Sequence, residues 1–166
     1  MDFTVTQDFT AGPDAVAAAY ASAELYEHLV GLPKLDAPEV LDRRVDGDLV
    51  RLRLRYRFVG DLSPAVTAVI DPAKLTWVES STHDLARRTV SYELLPDHYP
   101  DRLQSSGTCS ISTAGSGCTR TVRGRLKVRA LVVGGAVERA IVSGLREHLA
   151  DEVAIVDRVA GGLDRT

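Results

Sequence analysis

The sequence predicts an α+β fold in which a curved antiparallel sheet of seven strands surrounds a long C-terminal helix, with two short helices after the first strand. Two hydrophobic patterns carry this prediction. Residues 50–58 alternate strictly between apolar and basic side chains, which is typical of a strand with one buried and one exposed face. Towards the C-terminus, up to Val159, apolar side chains recur every three to four positions, which is typical of an amphipathic helix.

The N-terminal part of the chain predicts one strand and two helices. Residues 2–9 alternate between the two faces of a strand. Pro13 and Asp14 then favour a helix start, because Pro suits the first turn and an acidic side chain suits the positive end of the helix dipole. This helix is expected to reach Leu32, and a break near Ser22 divides it into two short helices.

Six further strands follow, separated by turn signals. Asp46-Gly47 is a strong two-residue hairpin signal, whereas the segment 60–73 is expected to be irregular with a short helical turn. The later strands are predicted at residues 38–45, then after the Asp46-Gly47 turn up to Phe58, and at 75–83, 88–95, 102–112 and 118–129. Paired glycines, at 134–135 and 161–162, mark the two ends of the last helix, which should cover at least residues 137–156.

Length and composition fit a single globular domain over residues 1–166, with 45% hydrophobic and 26% charged residues. A net charge of -3 argues against a nucleic-acid binder, which would usually be basic. The N-terminus lacks the features of a signal peptide and no apolar run has the length of a membrane span, so we expect a cytoplasmic protein. Nothing in these patterns fixes an oligomeric state.

The cysteines and histidines predict neither a disulfide nor a metal site. If the turn at 114–117 pairs Thr113 with Cys118, then Cys109 lies opposite Val122, and the thiols are too far apart to be bridged. Two buried, reduced cysteines are therefore expected. The four histidines have no metal-ligand spacing, so neither a metal nor another cofactor is expected.

Several short stretches, in the right order along the chain, resemble a small actinobacterial family known as domain of unknown function 2505. They are Phe3-Thr4-Val5-Thr6-Gln7, Asp14-Ala15-Val16, Asp46-Gly47 before the alternating arginines, and Val132-Val133-Gly134-Gly135 with Glu138 and Ile141. The order of elements resembles the wider START-like, or SRPBCC, helix-grip superfamily. This resemblance implies binding or carriage of hydrophobic molecules and, in some branches, polyketide cyclisation.

The expected binding site is an internal cavity between the sheet and the last helix. Strand six has few large side chains, which leaves room for a ligand. The alternative is an interior filled by side chains, which would make the chain a structural or interaction module. The predicted lining residues are Leu52, Leu54 and Tyr56 on strand three, Tyr92 on strand five, and Ile141, Leu145 and Leu149 on the helix, of which Ile141 and Leu145 should be among the most buried.

Arg43 is the predicted polar contact in this cavity. A two-residue turn at Asp46-Gly47 pairs Arg43 with Val50, on the same face as the apolar residues of strand three. A guanidinium beside an apolar lumen needs a partner, and a ligand carboxylate or phosphate would provide one. The alternatives are a shifted register or an internal acid such as Glu79.

Glu79, Ser81 and His83 share one face of strand four and are expected at its rim. Glu79 and His83 are ~13 Å apart along the strand, too far for a direct dyad. We therefore expect non-catalytic binding of a hydrophobic or amphipathic small molecule. The alternative is a cyclase- or dehydratase-like enzyme, in which Tyr56 and Tyr92 donate hydrogen bonds and Glu79 or His83 moves protons.

Basic side chains alternate on the outer faces of two strands. The third predicted strand, β3, carries Arg51, Arg53, Arg55 and Arg57, here called the β3 basic row. The seventh, β7, predicted at residues 118–129, carries Arg123, Arg125, Lys127 and Arg129, here called the β7 basic row. One interpretation is a solvated face that discourages edge aggregation. The other is transient contact with an anionic membrane surface.

Overall fold

A computed structural model describes residues 1–68, 70–129 and 134–163. Val132 and Val133 of the family-like motif, and residues 164–166 at the end of the predicted domain, lie outside these ranges. The strands are β1 (Asp2–Phe9), β2 (Glu39–Asp46), β3 (Leu49–Arg57), β4 (Thr76–Asp84), β5 (Thr89–Pro96), β6 (Leu103–Ala114) and β7 (Gly117–Val128). The helices are α1 (Pro13–Tyr20), α2 (Glu24–His28), α3 (Pro64–Thr67) and α4 (Gly134–Leu163), with a 3-10 turn at Pro72–Lys74.

The seven strands form one sheet in the order β1-β7-β6-β5-β4-β3-β2, and every neighbouring pair is antiparallel. One face of this sheet, here called the inner face, packs against the helices, and α4 contacts β1, β7, α1 and α2. The α+β prediction of seven antiparallel strands and a long C-terminal helix is confirmed. None of the described helices combines the length and apolar character needed to cross a membrane.

The core on the inner face is divided between two clusters. In the first, side chains of α1, α2 and the C-terminal half of α4 surround Leu52 and Leu54 of β3. In the second, Val142 and Leu149 of α4 pack against β1, β6 and β7, including Val122. The long helix therefore holds both ends of the sheet together, because each cluster contains one half of it.

The predicted register of the β2–β3 hairpin is wrong by two residues. Asp46 pairs with Leu49, so Gly47 and Asp48 form the loop and Arg43 lies opposite Leu52 rather than Val50. Gly47 has φ +58° at the first loop position, a conformation that glycine adopts at low cost and that tight hairpin turns require. Because a shift of two residues keeps the alternation, Arg43 still lies on the same face as Leu52.

The predicted phase of α4 is also wrong. Ile141 is 40% exposed and Leu145 is only partly buried, whereas Val142, Leu149 and Val156 are buried. These three residues are spaced by seven positions, about two helical turns, and define the stripe that faces the sheet. Ile141 lies one position from this stripe, a rotation of roughly 100°, and so reaches the edge of the interface.

The predicted arrangement of the cysteines is confirmed. Thr113 pairs with Cys118 and Cys109 pairs with Val122 across the β6–β7 hairpin. Both cysteines are buried and free.

Candidate ligand-binding site

A cavity of about 80 Å³ lies where the first residues of β4, the β5–β6 turn and the first turns of α4 meet. Trp77, Tyr99, Leu103, Val137 and Ile141 are among the side chains that line it, and its walls are mainly apolar. The Arg102 guanidinium lies 5.6 Å from the centre of the Tyr99 ring, and both residues line the cavity. This cavity is well below the 300–1,000 Å³ of a typical ligand pocket.

The predicted lining residues are brought to the inner face, but they do not surround one open space. Ile141 borders the cavity. The others are distributed over the two core clusters: Leu52, Leu54 and Tyr56 in or against the first, and Tyr92, Leu145 and Leu149 in or against the second. Contact of these residues with a ligand stays a prediction.

Tyr92 occupies the space that the small side chains of β6 leave open. A Cβ atom placed on Gly107 would lie 2.6 Å from the Tyr92 hydroxyl, and one placed on Gly124 would lie 2.5 Å from it. The Tyr92 side chain therefore crosses β6 and reaches β7, and Phe3 packs on Gly124 beside it. The small residues of β6 accommodate this side chain, rather than a ligand-sized cavity at that position.

Arg43 is exposed at the edge of the sheet. Its Nε donates a hydrogen bond of 2.7 Å to the backbone oxygen of Ala21, which ends α1. In this position the guanidinium ties β2 to the junction between the two short helices.

The inner face of β4 carries Trp77, Glu79, Ser81 and His83. The rim position that was predicted for Glu79, Ser81 and His83 needs correction. Ser81 and His83 are buried, and Ser81 Oγ lies 3.0 Å from His83 Nε2. Side chains of α1 line the same small cavity as His83, so this helix covers the inner face at that end of β4. Burial, reinforced by the charge of Arg120, lowers the pKa of His83 to about 4.

Glu79 is a half-buried carboxyl group between two leucines, Leu54 on β3 and Leu94 on β5. Burial raises its pKa to about 7; the positive charge of Arg120 opposes this shift and the negative charge of Glu152 adds to it. No hydrogen bond from a described residue stabilises the Glu79 carboxylate.

Glu152 and Arg120 belong to a buried polar network that joins β1, β7, α1 and α4. The Gln7 amide donates to Glu152 Oε1 at 3.0 Å and to the backbone oxygen of Leu149 at 2.6 Å. The Tyr20 hydroxyl donates to Glu152 Oε1 at 2.6 Å, and Arg120 Nη1 donates to Gln7 Oε1 at 2.6 Å. Such a network fixes the relative positions of its elements, because an unpaired member would be costly.

Two further contacts extend this network. The Arg120 guanidinium lies 4.0 Å from the centre of the Tyr20 ring, and His148 Nε2 lies 3.6 Å from Glu152 Oε2. Arg120 Nε and His148 Nδ1 are buried, and neither atom has a hydrogen-bond partner among the described residues. Within residues 1–68, 70–129 and 134–163, no three His, Cys, Asp or Glu side chains are grouped as metal ligands would be.

Sequence reasoning missed this network, although one signal was available. Gln7 and Arg120 occupy inward positions in the alternation of β1 and β7, next to Val5 and Val122. A polar residue at an inward position indicates a buried partner, because an unpaired one would be unfavourable.

Comparison with known proteins identifies the fold. Residues 4–159 match the model of a family described as protein of unknown function, DUF2505. No curated protein matches the chain. TTHA0849 from Thermus thermophilus is similar in structure, with a TM-score of 0.66, 15% identity, and coverage of 98% of this chain and 99% of that one.

Two similar structures have descriptive names. The ZhuI aromatase/cyclase from Streptomyces sp. R1128 has a TM-score of 0.62 and 18% identity, with 96% of this chain and 93% of that one covered. Norcoclaurine synthase from Thalictrum flavum also has a TM-score of 0.62 and 18% identity, covering 96% and 86% of the two chains. At this identity the likeness establishes the helix-grip fold.

Proposed function

The chain belongs to the DUF2505 family of proteins of unknown function and has the helix-grip fold, and we propose that it binds a hydrophobic or amphipathic small molecule without covalent chemistry. The observation that supports this proposal most directly is the apolar cavity beside Trp77 and Ile141. Ile141 is a large aliphatic side chain with 40% of its surface exposed, and a bound apolar group would cover it.

A ligand would have to enlarge this cavity. An apolar cavity of roughly 150 Å³ is needed to hold a benzene ring, about twice the volume present. Arg102 and Tyr99 of the β5–β6 turn, together with Lys74 before β4, line this cavity. Long or loop-borne side chains of this kind can move aside at lower cost than packed core residues.

Titration with the neutral fluorescent dye Nile red tests the proposal. One site per chain is expected, and Ile141→Arg should weaken binding by about tenfold or more, because a charge would then border the apolar cavity. Val45→Arg is the matched control, since Val45 is exposed to 57% but lies on β2 away from the cavity lining. Binding that both variants weaken equally, or that neither weakens, would place the dye elsewhere.

A second candidate function is acid–base catalysis in the same interior. The observation that favours it is Glu79, whose pKa of about 7 suits a group that both accepts and releases a proton near neutrality. Two of the similar proteins are named as enzymes, an aromatase/cyclase and a synthase. Turnover of a polyketide-like compound that is abolished in Glu79→Gln, with the fold intact, would support this function over simple binding.

We also propose that the outer face of the sheet contacts an anionic membrane when ligand is exchanged. The β3 and β7 basic rows are exposed on this face, separated by β4, β5 and β6. Arg55 pairs with Glu39 and Asp97, and Arg125 pairs with Asp2. The other members of the two rows form no ion pair with a described residue and are available to lipid phosphates.

A further inference from the structure

We propose that the ligand carries a cationic head group, such as a primary ammonium, and that the Glu79 carboxylate on the inner face of the sheet holds it. This inference rests on the proposed function, because it assigns the polar end of the same ligand. It reverses the head group expected from the sequence, where Arg43 was predicted to select an acid.

The first argument is position. Trp77 lines the cavity, and Glu79 is the next residue on the same face of β4, roughly 7 Å further into the interior. An apolar chain that occupies the cavity with its polar end inward would therefore bring that end to Glu79. The flanking residues Leu54 and Leu94 offer neither a donor nor a competing charge.

The second argument is the aromatic surroundings. Tyr56 and Trp77 stack with their ring centres 5.8 Å apart, and this pair is the next one along the inner face from Leu54 and Glu79. The Glu79 charge also acts on Tyr26 of α2 and, after burial, helps to raise the pKa of both Tyr26 and Tyr56. A carboxylate beside aromatic rings is a common means of recognising organic cations, because the ring faces are electronegative.

The third argument is charge balance. The positive charge of Arg120 acts on two carboxyl groups in this interior, Glu79 and Glu152, and of these two Glu152 forms the ion pair with it. Arg120 is already committed, since it donates to Gln7 at 2.6 Å and lies 3.8 Å from Glu152. An ionised Glu79 therefore has no cation of its own among the described residues, and a ligand ammonium would supply one.

An anionic head group fits this interior less well. Arg43 is exposed and its Nε bonds to Ala21, and the free Nε of Arg120 is enclosed beneath the Tyr20 ring. A ligand carboxylate would lie near Glu79 and Glu152 and would be repelled by both.

Protonation of Glu79 should therefore control binding. Ionisable groups on the elements around it also face this interior: Tyr20, Tyr26, Tyr56, His83, Tyr92, Cys109, Arg120, His148 and Glu152. His83, with a pKa of about 4, stays neutral near pH 7, and burial raises the pKa of Tyr26, Tyr56, Tyr92 and Cys109 so that they stay neutral as well. A comparison with Glu79→Gln separates the titration of Glu79 from that of the other ionisable groups.

Three ligands with the same eight-carbon chain test the inference: octylammonium, octanol and octanoate, each titrated by calorimetry. Octylammonium should bind most tightly and octanoate most weakly at about pH 8.5. Between about pH 5.5 and 8.5 the affinity for octylammonium should rise by up to ~30-fold. This is the ratio of the ionised fractions of Glu79 at the two pH values, for a pKa of about 7. Octanol should show no such rise.

The variants sharpen this test. Glu79→Gln should remove the pH dependence and weaken octylammonium binding by roughly tenfold or more, while octanol binding is retained. Glu93→Gln is the matched control, because Glu93 is an exposed acid on the neighbouring strand β5 and faces outward. The pH series on the unmodified protein remains decisive if Glu79→Gln does not fold.

The outcomes separate the two proposals. Binding of all three ligands with equal affinity, or tightest binding of octanoate, would overturn the cationic head group and leave the proposed binding function intact. If the protein binds none of the three ligands and does not bind Nile red, the proposed binding function itself is overturned.

Discussion

Glu79 is the residue at which the interior of the sheet departs most from an inert core. Its pKa is about 7 in the folded chain, compared with 4.5 for an ordinary glutamate, because burial disfavours the charged form. The folded state therefore binds the proton more tightly, and its stability should fall as pH rises through the interval from 4.5 to 7.

We predict that Glu79→Gln removes this loss of stability. Above pH 7 the free energy of unfolding of the variant should exceed that of the parent by about 1–3 kcal/mol, since one unit of pKa corresponds to about 1.4 kcal/mol. The difference should shrink towards about pH 5, where Glu79 is protonated in the folded chain. Urea denaturation at several pH values measures it.

His83 acts in the opposite direction and has to be separated from Glu79. Its pKa is lowered from 6.5 to about 4, so the unfolded chain takes up the proton first and stability falls as pH decreases through that interval. The pH dependence of the parent's stability is the sum of the effects of Glu79 and His83. Only the difference between parent and variant at each pH isolates Glu79, and a difference that does not vary with pH would contradict its assigned pKa.

The sequence indicated which residues alternate inward, but it did not show which polar residues meet. Gln7 and Leu149 bond to each other across 142 positions of the chain, and Tyr20 meets Glu152 across 132. Contacts of this kind depend on the assembly of β1, α1 and α4, and no local pattern encodes their distance. The exposure of Arg43 escaped prediction for a related reason, since β2 is an edge strand and its inner face is only partly covered.

At the scale of elements, α4 is the helix on which both core clusters depend. We predict that Leu149→Ala costs about 2–5 kcal/mol of unfolding free energy, because Leu149 is only 7% exposed and its removal leaves a cavity. Ile141→Ala should cost less than about 1 kcal/mol, since Ile141 is 40% exposed. Chemical denaturation of the two variants provides the comparison, and equal losses would contradict the observed phase of the helix.

Periodicity predicted the elements well, because alternation and the helical repeat are local properties of the chain. The register of the β2–β3 hairpin and the rotational phase of α4 were harder to predict from the sequence. The β2–β3 hairpin differs by two residues because the turn starts at Gly47, and α4 is rotated so that Val142 rather than Ile141 faces the sheet. The small residues of β6 were taken as a sign of empty space, whereas Tyr92 from β5 covers Gly107.

For the whole molecule, the distribution of charge differs between the two faces of the sheet. The inner face carries Glu79 and the polar network around Arg120, whereas the outer face carries the two basic rows. The rows are four strand intervals apart, roughly 19 Å, and Glu93 on β5 is an acidic side chain between them. A chain with a net charge of -3 thus presents a locally basic surface on one side.

This surface leads to a prediction about membranes. The protein should bind vesicles rich in phosphatidylserine and not vesicles of phosphatidylcholine, and binding should weaken as salt increases, because exposed charges are screened. The double variant Arg53→Ser, Arg123→Ser removes one unpaired charge from each row. Its partition coefficient, measured by vesicle sedimentation, should fall by about thirtyfold, on the basis of about 1 kcal/mol for each basic residue.

The control removes the same net charge from another part of the molecule. Arg139 and Arg146 are exposed on α4, away from the outer face of the sheet, so Arg139→Ser, Arg146→Ser should leave vesicle binding within about twofold of the parent. Equal losses in both double variants would show that overall charge, rather than the two basic rows, determines binding. Equal binding of the parent to both kinds of vesicle would rule out electrostatic contact through this face, because phosphatidylcholine offers no net negative charge to the arginines.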